Sequence, residues 1–144
     1  MKWRTGAILL AGTLLSICIS GRTLLAQSSC KDEETMIEDY KKTLTEMIAT
    51  VKGESLEDFT RHFHQKSCLN KLGLCSSIVN IANECLDKAT QDPATSKDED
   101  KDIETRRQSY NALRAKAEEY SKELKGAESP KDAKALIAKF DLSK

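Results

Sequence analysis

Histidine and cysteine are the side chains here whose chemistry goes beyond packing and solvation, and they are few. The two histidines stand two residues apart, in Arg61-His62-Phe63-His64-Gln65. On a helix, such positions point about 200° apart, so His62 and His64 cannot hold one ion from a single helical face. In an extended loop they could, with help from Asp58 or Cys68. The surrounding pattern reads as a helix with a solvated tip around Phe63, so neither a metal site nor a cofactor is expected.

Of the five cysteines, Cys18 falls in an apolar N-terminal run, and Cys30, Cys68, Cys75 and Cys85 follow at spacings of 38, 7 and 10. No close pair of the zinc-finger type occurs, and an even number in a secreted chain predicts two disulfides. A Cys75–Cys85 bridge is disfavoured, because a helix over 76–89 would hold those ends about 15 Å apart. Two pairings remain: Cys30–Cys85 with Cys68–Cys75, or Cys30–Cys75 with Cys68–Cys85. Cys68 and Cys75 flank a turn expected at Lys71-Leu72-Gly73, which favours the first.

No nucleophile–base pair stands out. The serines sit at expected caps and linkers, the six glycines are scattered rather than gathered into a phosphate loop, and carboxylate runs such as Asp98-Glu99-Asp100 and Glu118-Glu119 read as solvated surface. No enzymatic activity is expected. None of Asn70, Asn80, Asn83 and Asn111 opens an Asn-x-Ser/Thr sequence, so N-glycans are not expected.

The N-terminus places the chain. Lys2 and Arg4 precede an apolar run from Gly6 to Ile19, and Ala26 stands before Gln27-Ser28-Ser29. Residues 1–26 therefore read as a secretory signal peptide, cleaved after Ala26 or after Gly21. Arg22 interrupts the stretch needed for a membrane anchor. Removing 26 residues from 144 leaves 118, with 20 basic against 23 acidic side chains, a net charge of about −3. Interspersed charge of that sign gives no attraction to nucleic acid or anionic membrane. The expected product is a secreted, extracellular, single-domain protein with no stable membrane insertion.

Strand signals are nearly missing, and apolar residues recur at three- and four-residue steps, so the expected fold is all-α: a small disulfide-stapled bundle of about five helices. A first helix is predicted over 32–52, opened by Asp32, Glu33 and Glu34. Its apolar face is Met36, Ile37, Tyr40, Leu44, Met47, Ile48 and Val51. A second starts at a Ser55/Asp58 capping box, buries Leu56, Phe59 and Phe63, and ends near Cys68; a third covers 76–89. Residues 27–89 thus form a cysteine-stapled three-helix region. Residues 90–102 read as a charged linker or a frayed helix start; a long helix is predicted over about 98–125, and 103–144 carry it and a short C-terminal one. In the long helix Ile103, Tyr110, Ala117 and Leu124, with Leu113 and Tyr120, fall at heptad positions. The last opens at Ser129-Pro130, with Ala133, Leu136, Ile137 and Phe140 on its face.

The run Phe59-x3-Phe63-x4-Cys68, then Leu74-Cys75 and Cys85-Leu86, resembles the insect haemolymph glycoprotein family over residues 56–89. The resemblance implies a secreted helical protein of extracellular fluid and carries over no catalytic residues. Spacings differ from that family, and glycosylation sites are missing.

Two uses remain. One is a secreted, non-enzymatic interaction protein, a body-fluid, salivary or venom-type effector binding a protein partner. The other is a carrier of an apolar small molecule such as a fatty acid. For the carrier, Met36, Ile37, Tyr40, Leu44, Met47, Ile48, Val51, Phe59 and Phe63 would line a cavity; otherwise they form the core. The heptad stripe over 103–124 offers a surface for self-association.

Overall fold

The computed structural model describes residues 30–142; the expected signal peptide and its expected cleavage points lie outside the described residues. Five helices, and no strand among the described residues, build an all-α bundle: α1 (Lys31–Gly53), α2 (Leu56–Arg61), α3 (His64–Thr90), α4 (Lys97–Lys125) and α5 (Pro130–Ile137). No helix among them is long and apolar enough to cross a membrane.

Helix α1 forms nearly where the periodicity places it. Asp32, Glu33 and Glu34 occupy its first turn, and Ile37, Tyr40, Leu44, Met47, Ile48 and Val51 make its buried stripe. Glu54, in extended conformation, stops it. Ser55 then caps α2, its hydroxyl accepting from the Asp58 N–H at 3.1 Å while donating to the Asp58 carboxylate at 2.7 Å. The short Asp side chain thus closes the box on the hydroxyl rather than on the backbone.

The second and third helices are bounded differently from expectation. The chain breaks at His62-Phe63, and α3 then runs unbroken through Lys71-Leu72-Gly73 to Thr90. A mid-helix glycine costs about 1 kcal/mol relative to alanine, and this helix outweighs it with a continuous apolar seam. Cys68, Leu72, Cys75, Val79, Ala82 and Leu86 alternate at steps of four and three, and all are buried.

That seam faces the heptad stripe of α4, where Ile103, Tyr110, Leu113, Ala117 and Leu124 are buried. The pairing is antiparallel, because partners rise in number along α4 as they fall along α3. Arg107 meets Asp87 at 2.6 Å, Asn111 meets Asn83 at 3.1 Å, and Arg114 meets Asn80 at 3.0 Å. Near the far end, the Gln65 side chain donates to the Leu124 carbonyl at 3.3 Å. The α4 stripe expected to serve self-association is therefore spent on this chain's own core.

The charged segment 90–102 is divided. Residues 91–96 connect the two long helices, and α4 begins inside the expected linker, where Ser96 and Glu99 form a complete capping box. Helix α5, capped by Ser129 with Pro130 in its first turn, buries Ala133 and Ile137 and packs on α1 and α2. The C-terminal half thus docks on the cysteine-bearing half. Tyr120 fastens the chain end: its hydroxyl donates to the Asp141 carbonyl and accepts from the Asp141 N–H, each at 2.9 Å, while its ring stacks on Phe140 at 4.0 Å.

Among the described residues one disulfide forms instead of two. Cys30 and Cys85 are bridged, with Cα atoms 5.8 Å apart, tying the start of α1 to the last turns of α3. Cys68 and Cys75 are buried free thiols, which corrects the expectation of a second bridge. Seven residues of one helix separate their Cα atoms by about 10 Å, beyond disulfide reach. Burial pushes the Cys68 thiol up to about 11; burial also raises Cys75, partly offset by the nearby Tyr40 hydroxyl.

Candidate functional site

The two histidines meet at the break between α2 and α3. His62 ends α2, and His64 opens α3. Phe63 between them has φ 53° and ψ 35°, the only non-glycine residue with positive φ among those described. For a bulky L-residue this left-handed conformation costs about 1–2 kcal/mol. It breaks the helical phase, so the two imidazoles no longer diverge by 200°. Their ring centroids lie 5.6 Å apart, edge to face. His64 also stacks on the buried Phe59 ring at 6.1 Å.

Both histidines turn toward Glu54, the residue that ends α1. Its Oε2 lies 3.2 Å from His64 Nε2 and 3.9 Å from His62 Nδ1. The Glu54 side chain is 12% exposed, and its Oε1 is buried with no hydrogen-bond partner. The sequence offers Asp58 and Cys68 as helpers for the histidines and gives no sign of Glu54. Asp58 is taken up by the α2 cap and by Arg61 at 3.3 Å, and Cys68 is buried in the α3 seam.

The residues considered as cavity or core separate clearly. Ile37, Tyr40, Leu44, Met47, Ile48, Val51 and Phe59 are core. Met36 is half-buried and edges an open groove of about 220 Å³ with Tyr40, Leu44, Lys71, Leu74 and Ile78. Phe63, expected on the buried edge of the second helix, is 72% exposed. It borders a groove of about 290 Å³ whose walls include Phe59, Leu69, Lys66 and Pro130. A further groove of about 330 Å³ lies beside the disulfide, between Glu34, Leu86, Ile103 and Arg106. All three open to solvent. The turn carrying Phe63 is the place where a strained backbone, an exposed aromatic and a polar cluster coincide.

No protein family, no curated protein and no solved structure matches the chain.

Proposed function

We propose that the protein is a secreted, non-enzymatic interaction protein that binds an extracellular protein partner at the turn carrying Phe63. The observation behind this reading is the exposure of Phe63 at a left-handed backbone position. Four residues earlier Phe59 is buried, so the chain had a helical route to bury both rings, and the break turns the second one outward. An exposed aromatic beside an apolar groove is the kind of anchor that dominates protein interfaces, and local strain gathers at binding sites.

Secretion is supported by the basic start, the apolar run and the small residue at Ala26 in the N-terminal segment, and by the Cys30–Cys85 disulfide, which suits an oxidising compartment. The likeness of residues 56–89 to haemolymph glycoproteins points the same way. The carrier reading has less support, because most residues that would line its cavity are packed in the core and the grooves beside them open to solvent.

The test compares immobilised wild type with Phe63→Ser, each exposed to the fluid in which the protein occurs. A protein retained by wild type and bound about 30-fold or more weakly by the variant, the effect of a hot-spot residue, supports the reading. Equal retention by both contradicts it.

A further inference from the structure

We propose that Glu54, His62 and His64 form a binding site for a divalent transition-metal ion, with zinc the best match. The inference stands apart from partner binding and rests on the geometry of three side chains from three successive segments. One donor atom from each falls in a cluster no wider than 4.8 Å. Two separations are already 3.2 and 3.9 Å, both to the same carboxylate oxygen. A tetrahedral zinc ion held at about 2.0–2.2 Å by nitrogen and oxygen places its ligand atoms about 3.3–3.5 Å apart. The two measured separations bracket that spacing.

Three further observations favour a site over an incidental ion pair. Glu54 keeps one buried oxygen without a hydrogen-bond partner, so two histidine contacts leave its capacity unspent, and a buried acceptor left so is costly. The left-handed residue between the histidines is what brings both rings to the carboxylate; a continued helix would have sent them to opposite faces. His64 is oriented by its stack on buried Phe59, while His62, with its side chain 54% exposed, leaves one side open to water. Two imidazoles and one carboxylate with a solvent-filled fourth position is a ligand set that suits zinc. Imidazole donors disfavour calcium and magnesium, which take oxygen. The second geometric cluster, Cys30, Glu33 and Cys85, is closed to metal because its sulfurs are bonded to each other.

The experiment titrates the full oxidised chain with zinc by calorimetry and with cobalt(II) as a spectroscopic probe. The expected result is one saturable site per chain, with a cobalt spectrum of nitrogen and oxygen ligation and no thiolate charge-transfer band. His62→Ala, His64→Ala and Glu54→Gln should each weaken zinc by more than the roughly 10–100-fold typical of losing an outer-shell partner. Should His64→Ala unfold, His62→Ala carries the comparison, since its ring is mostly solvated. Imidazole nitrogen chemical shifts in wild type report ligation directly. Absence of saturable binding, equal binding by the variants, or a thiolate band from Cys68 and Cys75 would each overturn the proposal.

Discussion

Removing the Cys30–Cys85 bridge, as the double variant Cys30→Ala/Cys85→Ala, should destabilise the protein by about 4 kcal/mol. The bridged residues are 55 apart in sequence, and releasing a loop of that size returns entropy to the unfolded chain worth about 4 kcal/mol at 25 °C. The native state should change little, because α1 and α3 remain packed through Ile37, Leu44, Cys75 and Val79, all buried. Against the usual 5–15 kcal/mol of a small domain, the loss is large. With urea slopes of about 1–3 kcal/mol/M, the midpoint should fall by roughly 1–4 M. The slope itself should rise, since an unbridged unfolded chain exposes more surface. The assay is urea unfolding followed by far-ultraviolet circular dichroism, on oxidised wild type, wild type in reductant and the double variant. The second and third should coincide. A loss below about 1 kcal/mol would refute the loop argument. A reductant-sensitive transition in the double variant would reveal a Cys68–Cys75 bridge and refute the continuous α3.

Cys68 and Cys75 should resist an alkylating reagent in the native oxidised protein and both react once it is unfolded, as read by peptide mass; rapid native labelling of either would contradict their burial in the α3 seam. Stability should also fall in alkali. Burial holds Cys68 near 11 against an ordinary 9.0 and raises Tyr40 and Cys75 as well, so the unfolded chain gives up these protons first. The contribution from Cys68 is complete below about pH 9 and is lost as pH rises through about 11. Urea midpoints measured across that window should decline, less steeply in Cys68→Ala; a flat profile would contradict the buried thiols.

The all-α class and helices α1, α4 and α5 are readable in the sequence because their signals agree. Acidic first turns, the Ser129 cap, Pro130 and periodic apolar residues all point to the same starts and faces. The boundary between α2 and α3 is misread for a local reason. Gly73 looks like a stop, whereas tertiary burial of Cys68, Leu72, Cys75 and Val79 carries the helix through it. The steps of four and three from Cys68 to Leu86 were legible as one seam, and they place two of the four cysteines in the core rather than in a bridge. Ser96 with Glu99 was equally legible as a helix start, obscured by the charged composition around it. The break at Phe63 has no sequence signature, since positive φ is expected of glycine or asparagine. Glu54 could not be joined to the histidines from spacing alone, because only the two breaks in chain direction, at Glu54-Ser55 and at Phe63, bring them together.

The central claim, a protein partner held at the Phe63 turn, is tested most directly by native mass spectrometry of the protein taken from its own fluid, before and after solvent extraction. The account predicts a chain lacking the leader and carrying one disulfide, in complex with a second protein, with no mass lost on extraction and no such complex for Phe63→Ser. A chain that sheds an apolar small molecule on extraction, with no protein bound, would contradict it and establish a carrier.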